Sequence, residues 1–141
     1  MLAKLLLLFA SRVDALGGSG NPFTDIALWP ITAGGGSRAL NGSALTVTYA
    51  VSTTAVSRAF TVSKSGVVFI KYKLANMTGS GARILVSNNA ADAARLVGTN
   101  RTLPGEYVDQ VYLPAGTYYL DLNVHIAGAA DYSEARVMAR R

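Results

Sequence analysis

His125 is the only histidine in the chain. A histidine-assisted serine nucleophile would therefore have to be built around it, with Asp121 or Asp109 as the acid that orients the ring. No nucleophile-elbow motif accompanies it, and a lone histidine on an outward strand face is ordinarily a solvated residue. Glu106, Asp109 and Asp121 fall on or near adjacent expected strands, where two carboxylates could divide the acid and base roles of glycoside hydrolysis. Eight acidic residues scattered over a β domain also produce such pairs by chance, and no cleft signature surrounds these. Asp121, Asn123 and His125 project from one expected strand face and could offer oxygens to calcium, but so few ligands fall short of a site. With no cysteine present, thiolate nucleophiles, disulfides and Cys-containing zinc sites are excluded. The expectation is a protein that is not an enzyme and holds no cofactor.

Other residues point to recognition. Tyr107, Tyr112, Tyr118, Tyr119 and Tyr132 concentrate in the last third, and those facing outward could stack on sugars or anchor a protein interface. Tyrosine is also an ordinary strand residue. The clusters Gly17-Gly18-Ser19-Gly20 and Gly34-Gly35-Gly36-Ser37 lack the strand-to-helix setting of a phosphate-binding loop and read as linkers. Asn41-Gly42-Ser43, Asn76-Met77-Thr78 and Asn100-Arg101-Thr102 match the N-glycosylation pattern, which marks surface loops in a eukaryotic secreted protein and carries nothing in a bacterial or phage one. Lys and Arg number 13 against 8 acids, a net charge of +5. The cations are dispersed apart from Arg136, Arg140 and Arg141, without the basic stripe and interleaved aromatics of a specific nucleic-acid binder.

These residues must be positioned by strands. From Leu45 the chain alternates apolar and polar side chains through Val47, Tyr49 and Val51, the period of a half-buried strand. Val56 to Val62 and Val67 to Leu74 repeat the pattern on either side of Ser63-Lys64-Ser65-Gly66 and are expected to pair as a hairpin. Ile84 and Val86 mark another strand, Arg95 to Thr99 a short one, and Tyr107 to Leu113 the next. After Pro114-Ala115-Gly116, Tyr118, Leu120, Leu122, Val124 and Ile126 are expected inward, with Tyr119, Asp121, Asn123 and His125 outward. Ala135, Val137 and Ala139 suggest a final strand with a basic outer face. An early strand at Asp25 to Thr32 would be an edge strand because of Pro30. About eight short strands separated by Gly, Pro, Asn and Ser turns predict an antiparallel β-sandwich or jelly roll. A chain of 141 residues, half of them hydrophobic, can bury a core of its own.

The first twenty residues read as an apolar arm and Gly-rich linker ahead of a sandwich spanning 21–141. The uninterrupted apolar run from Leu5 to Ala10 is shorter than the roughly 7 to 15 residues of a signal-peptide core, and Arg12 and Asp14 intrude before any cleavage site. It is also far short of the roughly 20 residues of a membrane span. Leu2, Leu5, Leu6, Phe9, Val13 and Leu16 recur at helical spacing, which predicts a short retained helix. Such a helix either packs on its own sandwich or meets a partner.

A small cysteine-free sandwich with an apolar, Gly-rich arm and loops of Ala, Gly, Ser and Asn resembles the virion proteins of tailed bacteriophages. It is similar in particular to the jelly-roll cement, or decoration, proteins of their capsids. The resemblance implies a virion structural protein on the capsid exterior, assembled in the host cytoplasm, whose partners are the major capsid protein and further copies of itself as a dimer or trimer. Surface buried only in the assembled shell would then stabilise it by mass action. On that reading Leu2, Leu5, Leu6, Phe9 and Val13 are the candidate contacts of the arm, and Arg136, Arg140 and Arg141 those of the basic end. The alternatives are a phage tail or fibre component, or a carbohydrate-binding sandwich module. For the last, Val111 to Leu120 resembles the strand-turn-strand found near the end of many sugar-binding domains.

Overall fold

Strands with one apolar face are stable only when that face is buried against another layer. The computed structural model describes residues 12–14, 21–49, 54–88, 95–125 and 127–139. It shows β1 (Arg12–Asp14), β2 (Ile31–Ala33), β3 (Ser37–Asn41), β4 (Ala44–Thr48), β5 (Thr54–Lys64) and β6 (Gly66–Thr78), followed by β7 (Ala82–Ser87), β8 (Arg95–Val97), β9 (Gly105–Leu113), β10 (Gly116–Val124) and β11 (Ala129–Ala139). One sheet is six-stranded, in the order β1, β5, β10, β7, β8, with β2 also on β5; the other is five-stranded, in the order β3, β4, β11, β6, β9. The pairings are antiparallel, and the two sheets pack as a jelly-roll-like β-sandwich, as the alternation predicts. Among the described residues no helix is long and apolar enough to cross a membrane.

Two expected hairpins are instead crossings between the sheets. β5 pairs with β10 in one sheet, and β6 pairs with β9 in the other. The link at Ser65 therefore carries the chain from one sheet to the other, and the link at Pro114 and Ala115 carries it back. Each of these strands has one mainly apolar face, and facing those stripes across the core buries them on both sides. The crossings stack on each other, with the Ala115 amide donating to Ser65 Oγ at 2.9 Å.

Other expectations are corrected locally. The predicted helix does not reach Arg12–Asp14, which is extended and pairs with β5, placing Val13 opposite Val62. An open sheet edge satisfies the backbone there without a helix. Leu2, Leu5, Leu6 and Phe9, like Arg140 and Arg141, lie outside the described residues. Of the expected strand at Asp25 to Thr32 only the end is extended, because Ile26–Leu28 is a 3-10 turn whose Ala27 amide donates to Asp25 Oδ1 at 2.9 Å. β3 is an unexpected edge strand, joined to β4 through Gly42, whose φ of 60° a two-residue hairpin link requires.

The core lies between the sheets, with Val56, Phe60, Leu120, Leu122, Ile84 and Val86 meeting Leu45, Val47, Ile70, Tyr72, Leu74 and Tyr132. Phe23 and Trp29 join it from the segment ahead of β2, with ring centroids 5.1 Å apart. Trp29 is 0% exposed, donates from Nε1 to the Pro22 carbonyl at 3.0 Å, and lies beneath the Arg58 guanidinium. Tyr132 is also fully buried, and its hydroxyl donates to the carbonyls of Asn123 and Arg83, at 2.8 and 3.0 Å, in the opposite sheet. Trp29→Ala is therefore expected to lower stability by about 3–5 kcal/mol, read as a reduced urea midpoint.

Candidate functional site

The carboxylates that could have supported catalysis are dispersed. Glu106 is on the outward side of β9, 4.0 Å from Lys73 Nζ. Asp109 is on the inward side of that strand, and Asp121 belongs to β10 in the other sheet. His125 follows β10, its amide donating to the Gly81 carbonyl at 2.9 Å. No two of the three carboxylates share a face, so no hydrolytic pair is assembled from them. Among the described residues no group of three or more His, Asp or Glu could hold a metal ion.

Asp121 and Asn123 depart from expectation, since both are 0% exposed on the outward side of the six-stranded sheet. Asp121 accepts from the hydroxyls of Ser57 and Ser87, and Asn123 Oδ1 accepts from Arg83 Nε at 3.1 Å. A buried carboxylate is tolerable only when donors replace water, and the serines on the flanking strands provide them. The oxygens suggested for calcium are thus directed at protein donors.

The sequons are similarly occupied. Asn76 Nδ2 donates to Asp131 Oδ2 at 2.7 Å and Asn41 Nδ2 to the same oxygen at 3.4 Å, while Thr46 Oγ1 donates to Asp131 Oδ1 at 2.5 Å. Asn100 Nδ2 donates to the Ser80 carbonyl.

Arg101, in the third sequon, closes an open side of the sandwich. Its backbone exchanges hydrogen bonds with Ala82 at the start of β7, at 2.9 and 2.8 Å. Its side chain reaches the other sheet, where Nη2 meets Asp109 Oδ1 at 2.6 Å and Nε donates to the Tyr72 hydroxyl at 3.1 Å. Tyr72 in turn donates to Asp109 Oδ2 at 3.0 Å, and the guanidinium lies 4.5 Å from the Tyr107 ring centroid. The cluster is a staple between the two sheets. Sequence reading missed it because Arg101 sits in a loop whose contacts no periodicity reports. Burial raises the Tyr72 pKa to about 12, with Arg101 opposing the rise, and burial raises Tyr132 in the same direction.

The solvent-facing side of the five-stranded sheet is different in character. Along β9 the outward residues are Glu106, Val108, Gln110 and Tyr112; in register on β6 stand Lys73, Lys71, Phe69 and Val67. On β11, Glu134, Arg136 and Met138 lie opposite Lys73, Lys71 and Phe69. Tyr112 is 63% exposed, Val108 56% and Met138 39%, with Phe69 and Val67 half-buried beside them. Of the tyrosines singled out in the sequence, Tyr118 and Tyr132 are buried, Tyr107 and Tyr119 are half-buried, and Tyr112 is exposed. An aromatic and aliphatic patch thus adjoins a row of charged and amide side chains. Arg136, expected at an interface in the basic end, is on this face.

No family model matches the sequence, and neither does any curated protein. Solved structures resemble the fold. A family 29 carbohydrate-binding module variant complexed with cellulohexaose superposes with a TM-score of 0.54 at 14% identity, covering 92% of each chain. The C-terminal CBM6 of LamC, a laminarinase from the marine Zobellia galactanivorans, gives 0.52 at 15% identity over 75% of this chain and 88% of that one. The module CBM6cm-2 from Cellvibrio mixtus lichenase 5A, in complex with cellotriose, gives 0.51 at 13% identity over 79% and 89%. At these identities the likeness establishes a shared β-sandwich fold.

The staple generates a stability prediction. Arg101→Ala leaves Asp109 buried without its cation and is expected to cost about 2–4 kcal/mol in urea unfolding at neutral pH. Because Tyr72 ionises at about 12 when folded and near 10 when unfolded, its stabilisation is intact below about pH 10 and is lost as pH rises through about 12. Tyr72→Phe is expected to flatten that alkaline decline, in a series of unfolding curves, while lowering stability at neutral pH.

Proposed function

We propose that this chain is a non-catalytic carbohydrate-binding module whose ligand lies on the outer face of the five-stranded sheet. The observation that carries the reading is the exposed Tyr112 ring, set in register beside Val67 and diagonal to Phe69, with Gln110, Lys71 and Glu134 within the same face. A pyranose presents an apolar face of C–H groups and an equatorial belt of hydroxyls. The ring faces of Tyr112 and Phe69 match the first, and the amide, ammonium and carboxylate groups match the second. The solved neighbours support the reading, since sandwiches of the same fold are complexed with cellotriose and cellulohexaose. The acidic residues serve no hydrolysis in this scheme, because Asp109 and Asp121 are committed to Arg101 and to serine hydroxyls.

The strands fix these side chains before any ligand arrives, so binding orders little beyond side-chain rotamers. Tyr112→Ala is expected to change stability by less than about 0.5 kcal/mol. Binding to a soluble polysaccharide, measured by affinity electrophoresis and calorimetry, should weaken about tenfold or more. Undiminished binding by this variant would remove the outer face as the site, and self-association that Tyr112→Ala abolishes would replace the sugar by a second copy.

A further inference from the structure

We infer that β9 pairs edge to edge with β9 of a second copy of this chain, antiparallel about a two-fold axis at Val108. An open sheet edge is a row of unpaired amides and carbonyls, and folded proteins protect it by shortness, irregularity, lysine, proline or a charge turned inward. The other described edge strands carry such protection. β1, β2 and β8 are three residues each and shift register against their neighbours, and the five-residue β3 turns Arg38 inward, toward the Ile26 carbonyl at 3.5 Å. β9 differs. It runs nine residues, from Gly105 to Leu113, without proline or lysine, and keeps unbroken register with β6 along its whole length. Its inward charge, Asp109, is already met by Arg101 Nη2 at 2.6 Å. Among the described residues no strand lies on its far side. The core-facing Tyr107 and Val111 accordingly stay half-buried, whereas Val68, Ile70 and Tyr72 on β6 are 0% exposed.

The edge is complementary to itself. Centring on Val108 sets that side chain, 56% exposed in one chain, against Val108 of the second copy. It also sets Glu106 of each copy against Gln110 of the other, so each carboxylate meets an amide donor. Centring on Asp109 would oppose two carboxylates, and centring on Gln110 would leave Glu106 facing Pro114. Main-chain hydrogen bonds supply the attachment. Pairing from Gly105 to Val111 buries less than a standard interface, so the dissociation constant is expected in the micromolar range. Tyr112 lies beyond the paired stretch, and the joined outer faces form one sheet with the two Tyr112 positions about 27 Å apart along the strands. A polysaccharide that touches both binds with the added strength of a two-site contact. That consequence rests on the carbohydrate-binding reading; the pairing itself does not.

Sedimentation velocity of the full chain without saccharide should show a reversible monomer–dimer equilibrium. Gln110→Lys, which opposes Glu106 of the partner with an ammonium, should tighten it about fivefold, and Gln110→Glu, which opposes it with a second carboxylate, should weaken it about fivefold. Directly opposed Cα atoms lie about 4.5–5.5 Å apart, within the reach of a disulfide, and the chain has no cysteine of its own. With oxidised glutathione, Val108→Cys should therefore be trapped as a covalent dimer about tenfold faster than Thr61→Cys, an exposed position on the other sheet. A chain that stays monomeric to about 500 µM, association indifferent to both Gln110 variants or moved the same way by both, or equal trapping of the two cysteine variants would each overturn the inference. Saccharide binding by a chain that never dimerises would overturn it while leaving the carbohydrate reading intact, and a dimer that binds no saccharide would do the reverse.

Discussion

The structure depends on facing two apolar sheet surfaces across one core, and the two stacked crossings hold that arrangement in register. At Ser65 the chain leaves one sheet for the other, and at Pro114 and Ala115 it returns. The hydrogen bond from the Ala115 amide to Ser65 Oγ ties the two links together. Once β5 lies on β10 and β6 on β9, the period of two leaves no freedom. Val68, Ile70, Tyr72 and Leu74 must face the core, so Val67, Phe69, Lys71 and Lys73 must face outward. A slip of one residue would exchange the two sets. The outer face therefore inherits its pattern from the core.

Two polar side chains, those of Arg101 and Tyr132, tie the sheets together. Arg101 pairs its backbone with Ala82 in one sheet and its guanidinium with Asp109 and Tyr72 in the other. Tyr132 spans the core from β11 to the carbonyls of Arg83 and Asn123. At another side the apolar plug of Phe23 and Trp29 does the equivalent work, with Arg58 donating to the Pro22 carbonyl. Buried polar networks of this kind stabilise only when every member is satisfied. Asp109, one of the acidic side chains that a sequence offers to catalysis, is absorbed into the first of them.

Much of the fold was legible because alternation is a direct readout of burial. Leu45 and Val47, then Tyr118, Leu120, Leu122 and Val124, and Ala135 and Val137 all face the core as their spacing predicts. The same alternation is silent about partners, which is why Ser63 to Gly66 and Pro114 to Gly116 read as hairpin turns. A hairpin and a crossing place identical patterns on the two strands. Alternation also names a side without saying whether that side is covered, so Asp121 and Asn123 were assigned outward correctly but expected in water, whereas both are buried. β3 carried no signal, since most of Ser37–Asn41 is exposed and its pairing is set by the turn at Gly42. The candidate site was half legible. The excess of tyrosine was visible, but separating exposed Tyr112 from buried Tyr118 required the phase of each strand, and the pairing of Lys71 with Arg136 required the register of β6 on β11.

Function follows from what this frame leaves outside. A sheet face fixed in register offers aromatic and ionic groups at set spacing, which suits the recognition proposed for it. The most direct test of that claim is chemical-shift mapping by NMR as a soluble oligosaccharide is titrated into the isotopically labelled chain. The account predicts perturbations concentrated at Phe69, Lys71, Val108, Gln110, Tyr112 and Met138, with Ala59 and Tyr119 on the outer side of the other sheet unmoved. Perturbations confined to the six-stranded sheet, or none at saturating ligand, would contradict it.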